Sequence, residues 1–236
     1  MEVALRLAAT LFSVVPLVEL VEHHQAEILQ ALNSNRVALV CFVLNKLVDG
    51  LHETSLSADC IPDAILNDIL SLVLHEELRI SQVASQFLSV MALELCGGLE
   101  RLLSYLKSKA PPTLYPKAEH VLRISELVVK LAVTEPSKFS LIEDSQLLQP
   151  VLDGLLVEDP LTNLNFLQIA KALSSVPLAY DWLDSRGVFR NLLNRLLSMD
   201  SDGFRNLILP GKFQFLFYGR IRDSNQSKSY WRTHCL

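Results

Sequence analysis

The chain has 236 residues, half of them hydrophobic, with a formal net charge of −5. This length is sufficient to bury a large core. The negative charge argues against binding to a phosphate backbone. Few glycines and only 7% aromatic residues suit stacked helices better than turn-rich sheets. We therefore expect an all-α protein whose partners are proteins, with no binding to nucleic acid or membrane.

The N-terminal region is predicted to form three helices, at residues 3–15, 17–32 and 36–47. The opening segment is apolar, but Glu2, Pro16 and Glu19 argue against a signal peptide. The longest apolar run, residues 37–44, is much shorter than the roughly 20 residues that cross a bilayer. The four cysteines form no CxxC pair, which indicates a reducing compartment. We predict a cytoplasmic, cytosolic protein, with the nucleus left open as a second location.

Further along the chain, a short motif marks a series of medium-length helices. The motif is two adjacent apolar residues and a third one three positions later, and it occurs at Ile65/Leu66/Ile69, Leu102/Leu103/Leu106, Val151/Leu152/Leu155 and Leu192/Leu193/Leu196. A long helix is predicted after each copy, at residues 76–95, 117–133, 161–175 and 204–218. The acidic residues that precede the last two helices are expected to cap them.

One segment of the chain repeats with a shift of 41 residues. Residues 136–156 align with 177–197, and the aligned pairs are Pro136 with Pro177, Phe139 with Tyr180, Ile142 with Leu183, and Leu152 with Leu193. A period near 40 with helical spacing is typical of armadillo and HEAT repeats. Each copy is predicted to contain a short, a medium and a long helix. The prolines begin the short helices, which end at Ser145 and at Arg186-Gly187.

The repeat predicts an all-α, armadillo/HEAT-like α-solenoid, a right-handed superhelix of three-helix repeats. We assign residues 1–219 to this repeat domain, with residues 1–50 as N-terminal capping helices because end repeats are usually atypical. Residues 50–59 are predicted to be a loop. Residues 220–236 are polar and lack helical periodicity, so we expect a disordered tail.

The sequence offers no convincing catalytic or metal-binding group. Adjacent residues on a helix do not face one another, so His23 and His24 are poorly placed to chelate a metal together. Cys41 lies in an apolar run, where burial would raise its pKa and make it unreactive. Gly97-Gly98 lacks the surrounding motif of a phosphate loop and is interpreted as a helix terminator. We predict no catalytic residues, no metal and no cofactor.

The remaining candidate for function is the protein surface. The long third helices of an armadillo stack line its concave side, so their outward polar residues are the default binding candidates. The predicted protein-binding residues are Arg79, Gln82, Gln86, Arg123, Glu126, Lys130, Asn165, Gln168, Lys171 and Arg205. One alternative is an armadillo-type adaptor that binds extended peptides in signalling or transport. Such grooves usually carry a ladder of asparagines and tryptophans, whereas here only Asn165 occupies that stripe.

The C-terminal part of the chain resembles a known family. Residues 200–219 contain DSDGF, LPG and a run of phenylalanines, which is similar to the central repeat of the proteasome non-ATPase regulatory subunit 5 family. Residues 123–131 and 185–188 resemble the two preceding repeats of that family. The resemblance covers residues 117–219 well, and residues 1–110 only through their helix pattern.

The resemblance implies a non-enzymatic chaperone for assembly of the base of the 26S proteasome regulatory particle. Members of the family bind the C-terminal domain of a base ATPase subunit through the concave face, so we expect base ATPases and other base assembly intermediates as partners, and a monomeric chain. Family members continue through further repeats after the LPG element. The resemblance therefore implies a C-terminally truncated form, whose last helix would expose Phe213, Phe215, Leu216 and Phe217.

Overall fold

The computed structural model describes residues 10–12, 14–53, 57–109, 118–157 and 159–197. Regular structure in these residues is helical, and the strand-like pairing among them is one isolated parallel bridge between Ser57 and Cys96. The chain divides into two compact units, Met1–Leu127 and Val128–Leu236. The long helix predicted at residues 204–218 and the polar tail predicted at residues 220–236 lie outside the described residues.

The first unit consists of helices that pack on helices one or two positions away in the chain. They are α1 (Leu17–His23), α2 (Gln25–Leu32), α3 (Val37–His52), a 3₁₀ turn (Ala58–Cys60), α4 (Asp63–Val73), α5 (Leu78–Glu94) and α6 (Gly98–Lys109), followed by α7 (Ala118–Thr134), within which the division into units falls. Helix α5 packs against α3, α4 and α6, while α2 packs against α3 and α4. Packing between helices that are close in the chain is the pattern of repeat proteins.

The medium-helix motif forms the core of this unit. All six of its side chains in α4 and α6 are buried, namely Ile65, Leu66, Ile69, Leu102, Leu103 and Leu106. Helix α5 contributes Phe87, which is 1% exposed. Each fully buried side chain of this kind stabilises the fold by about 1.5–3 kcal/mol. The motif therefore correctly identified the inward face of both medium helices.

The N-terminal helices differ from the prediction at two points. Residues 17–32 form two helices, because His24 leaves helical dihedral angles with φ −122° and ψ 28°. Helix α3 continues to His52, beyond the predicted end at residue 47 and into the predicted loop, because Val48 and Leu51 extend its buried face. A side chain at Gly50 would press against Leu17 of α1. The glycine thus allows α1 to pack closely on the end of α3.

The second unit contains the repeated segment. After α7 come a 3₁₀ turn (Pro136–Lys138), α8 (Phe139–Asp144), α9 (Gln149–Gly154), α10 (Pro160–Leu173), α11 (Pro177–Ser185) and α12 (Val188–Leu197). Helix α9 is shorter than the predicted helix at residues 147–157. Pro150 lies in its first turn, and a proline cannot be accommodated deeper within a helix. Residues 145–148 therefore form turns instead of helix.

Backbone geometry confirms the 41-residue repeat. Gln146, with φ 62°, and Gly187, with φ 70°, both adopt the left-handed conformation, and their positions differ by 41. The N–H of Gln146 donates to the carbonyl of Glu143 at 3.0 Å, and the N–H of Gly187 donates to that of Asp184 at 2.8 Å. The two short helices thus end in the same way. The predicted all-α, armadillo/HEAT-like fold is confirmed.

Candidate protein-binding surfaces

Helix α5 carries a stripe of exposed polar side chains. Arg79, Gln82 and Gln86 are separated by three and four residues, which places them on one face of the helix, and all three are exposed. Ala84 and Phe87 are fully buried against the neighbouring helices. The predicted outward stripe is therefore available to a partner along the first half of α5.

Charges on α5 and just before it influence a thiol on the neighbouring helix α3. Burial raises the pKa of Cys41, the positive charge of Arg79 lowers it, and Glu77 raises it. The net shift is upward, as predicted for this thiol from its apolar surroundings. Cys96, by contrast, is exposed. It lies in the turn after α5, where the apolar run of that helix has ended.

Two predicted binding residues of α7 lie in the first unit, and they differ in how accessible they are to a partner. The guanidinium of Arg123 donates to the carbonyl of Val73 at 3.1 Å and to that of His75, and it also pairs with Glu119. Only 15% of its side chain is exposed. Arg123 thus holds α7 against the C-terminal end of α4, where a positive charge is favoured by the helix dipole.

Glu126 lies one turn further along α7 and is exposed. Partial desolvation raises the pKa of its carboxyl, and the charge of Arg123 lowers it. Because the desolvation effect is the larger, Glu126 holds its proton more readily than an isolated glutamate does.

In the second unit the predicted residues lie on α7 and α10. Lys130 and Gln168 are exposed, whereas Asn165 and Lys171 are half-buried. The apolar residues Leu167, Ile169, Ala170 and Leu173 of α10 are buried, while Leu164 is half-buried. Arg205 lies outside the described residues. Lys130 and Gln168 are thus the most accessible candidates in this unit.

Two polar side chains that were not predicted to face inward are buried and hydrogen-bonded. The hydroxyl of Ser81 in α5 donates to the carbonyl of Val73 at 2.7 Å, and the amide of Asn163 in α10 donates to that of Leu155 at 2.7 Å. Each donor lies eight residues after its acceptor, near the start of a long helix. Both residues occupy positions that fall on the apolar face of an amphipathic helix, and this pattern could have revealed them in the sequence.

Arg101 was also missed, and it fixes the entry into α4. Its guanidinium donates to the carbonyls of Ala58 and Ile61 and forms an ion pair with Asp63 at 2.8 Å. Since each of these acceptors lies about 40 residues earlier in the chain, local sequence patterns gave no indication of the contact. Arg101 is a structural residue of the first unit.

Metal binding and membrane insertion are two further possibilities for the described ranges. Those ranges contain no group of three or more His, Cys, Asp and Glu side chains arranged to hold a metal ion. Within the same ranges, no helix combines the length and the apolar character that crossing a bilayer requires.

Comparison with solved structures gives distant armadillo neighbours. A designed armadillo repeat protein aligns with a TM-score of 0.37 at 11% identity, covering 92% of each chain. A computationally designed armadillo repeat protein for modular peptide recognition aligns with a TM-score of 0.38 at 13% identity, covering 91% of each chain. The class of the protein is set by its own helix order and repeat geometry: it is an armadillo-like helical repeat protein.

The sequence comparisons identify the family. The family described as "Proteasome non-ATPase 26S subunit" matches residues 1–227, so the chain belongs to this proteasome-related family. The "26S proteasome non-ATPase regulatory subunit 5" of Bos taurus is 26% identical over 163 residues, and that of Homo sapiens is 25% identical over the same length. Each match covers 69% of this chain and 32% of the relative. The matched region therefore spans about a third of the length of these relatives.

Proposed function

We propose that this protein is a non-enzymatic chaperone for assembly of the base of the 26S proteasome regulatory particle. The observation that carries the proposal is the family match over residues 1–227. The relatives named as regulatory subunit 5 are about three times longer than the matched region, so the activity of the whole relative is assigned to this chain only as part of the proposal.

The chaperone acts by binding the C-terminal domain of a base ATPase subunit. The long helices provide the binding residues, because an armadillo stack turns these helices toward its concave side. The α5 stripe of Arg79, Gln82 and Gln86 is the best candidate in the first unit, and Gln168 with Lys130 is the best candidate in the second. Mixed polar and charged side chains of this kind favour a specific protein partner.

The proposal includes a monomeric chain that works without catalysis or a cofactor. It places the protein in the cytosol, with the nucleus as a second compartment, because an assembly chaperone must meet its partners before the complex is complete. Sedimentation of the purified chain tests the monomer. Imaging of the tagged chain in cells tests the location.

The central test is affinity purification of the tagged full chain from cell lysate. We expect recovery of base ATPases without the 20S core. Replacing Arg79, Gln82 and Gln86 together by Glu should reduce this recovery by about tenfold, a loss typical of removing a few important contacts. Glutamate is a good helix former, so α5 should remain intact.

A matched control places the same substitution on exposed positions of α6. Ser104→Glu combined with Lys107→Glu should leave recovery unchanged, because both side chains are exposed and lie on a medium helix. Recovery of neither ATPases nor other base subunits by the wild-type chain would contradict the proposed function. Equal losses in both sets of variants would instead contradict the assignment of the binding surface to α5.

A further inference from the structure

A small apolar groove lies between α9 and α12 in the second unit. Leu152 and Leu155 line it from α9 and the turn that follows, and Val188 and Leu192 line it from α12. Its volume is about 70 Å³. Since one water occupies roughly 10–15 Å³ on this scale, the groove can hold an aliphatic side chain of about four carbon atoms.

The rim of the groove leaves a large apolar side chain in water. Leu156 also lines the groove, yet it is 59% exposed, whereas Leu155 and Leu192 are each 2% exposed. Covering the exposed part of this leucine favours a complex, because it removes apolar surface from water. The groove therefore favours an apolar group that would fill it and shield Leu156.

The lining of the groove also carries a positive charge. Arg186 lines the groove, and its guanidinium lies 5.5 Å from the centre of the Trp182 ring. Among the described residues, no carboxylate lies within ion-pairing distance of Arg186. The ring contact limits the motion of the guanidinium, so less entropy is lost when an anion binds. Asn191 adds an exposed amide beside it.

We propose that this groove binds a segment of a partner protein in which a leucine-like side chain lies beside an aspartate or glutamate. The aliphatic side chain fills the groove against Leu156, and the neighbouring carboxylate accepts hydrogen bonds from Arg186. Charge complementarity selects this occupant, because a wholly apolar segment would leave the guanidinium without an anion. The site lies on different helices from the polar stripes, so it adds to the proposed function and does not depend on it.

The probe for this site is a random peptide library displayed on phage and selected against the immobilised full chain. We expect the enriched peptides to pair a leucine, isoleucine or valine with a neighbouring acidic residue. A synthetic copy of an enriched peptide, blocked at both ends so that only its side chains carry charge, is then titrated by fluorescence anisotropy against wild type and variants.

Three variants test the assignment of residues. Arg186→Gln should weaken binding by about tenfold or more, the loss expected for one hydrogen bond to a charged group. Leu156→Asp should abolish binding, and its side chain is exposed enough for the fold to persist. Arg190→Gln is the matched control, because Arg190 is an exposed residue of α12 outside the groove lining, and it should bind as the wild type does.

Several results would overturn the proposal. These are the absence of enrichment, enriched peptides without acidic residues, or unchanged affinity in Arg186→Gln. Sedimentation could give a further contradicting result. If the chain forms a dimer that Leu156→Asp dissociates, the groove is occupied by a second copy of the chain, and the proposal of an acidic partner segment is wrong. Melting curves of each variant separate loss of binding from loss of the folded state.

Discussion

The residues that end the two repeated short helices allow a test of the repeat by substitutions in opposite directions. Gln146 and Gly187 occupy equivalent positions in the two copies and share a positive φ, but only one of them is glycine. Exchanging the residue type should therefore have opposite effects. Gln146→Gly should stabilise the protein, and Gly187→Ala should destabilise it.

The magnitude follows from backbone conformation alone. A residue with a side chain costs about 1–2 kcal/mol in the left-handed region, while glycine loses about 0.4–1 kcal/mol more conformational entropy on folding. The difference between these two effects changes the free energy of unfolding by about 0.5–1 kcal/mol for each substitution. A Cβ atom at Gly187 would meet nothing within 4 Å, and Gln146 is exposed, so packing adds little in either case.

Thermal unfolding followed by circular dichroism measures both effects. The melting temperature should rise by about 1–4 °C for Gln146→Gly and fall by a similar amount for Gly187→Ala. Gln146→Ala is the control, since it removes the side chain but keeps the strained conformation, and it should be close to neutral. The double exchange should return near the wild-type value. Shifts of the same sign, or equal behaviour of Gly and Ala at position 146, would refute the reasoning.

Three further predictions concern α9 and α10. Asn163→Ala should lower the free energy of unfolding by about 1–3 kcal/mol in urea titrations, because a buried donor is lost, whereas Asn165→Ala should stay within about 0.5 kcal/mol of wild type. Hydrogen bonds from Thr162 hold the pKa of Asp159 below its ordinary value of 3.8. The ionised carboxylate therefore stabilises the folded protein above that value, and this stabilisation is lost as the pH falls through the lower pKa of the folded state. Asp159→Asn, which also caps helices, should remove this part of the acid sensitivity in melting curves. Gly154→Ala should destabilise by about 1–3 kcal/mol in the same titrations, since its Cβ would press into the buried ring of Phe166.

Features that depend on local sequence were predicted well. Pro177 begins its short helix in the first turn, and Asp159 caps α10 by accepting a hydrogen bond from the N–H of Thr162 at 2.8 Å. Both effects act within one turn of helix, so the neighbouring residues suffice to reveal them. The 41-residue shift extended these local signals into the prediction of a repeat fold.

Two of the mispredicted helix boundaries show what periodicity does not reveal. The buried positions of α1 and α2 continue with one helical phase through His24, so periodicity could not reveal the break between them. Helix α9 was predicted too long because its apolar residues begin at Leu147, although Pro150 restricts where the helix can start. Periodicity reports which residues face the core, and it does not report where the hydrogen-bonded turns begin.

The role of Arg123 could not be predicted from its neighbours. Its position on the outward stripe of a long helix suggested a binding residue, but its carbonyl partners, Val73 and His75, lie about 50 residues earlier in the chain. The helical phase of Asn163 indicated an inward side chain, but it did not identify the backbone carbonyl of Leu155 as the partner. Contacts between a side chain and a distant helix end require the packed structure, whereas an amphipathic pattern is visible in the chain itself.

These buried polar contacts also bear on how the protein would bind a partner. Ser81 ties α5 to the end of α4, and Asn163 ties α10 to the end of α9. The exposed positions of the same long helices, such as Gln82 and Gln168, are therefore held at fixed positions relative to the preceding helix. A surface that is already ordered loses less entropy on binding. Asn163→Ala should consequently weaken the binding of a partner that contacts Gln168, although Asn163 is too deeply buried to touch that partner itself.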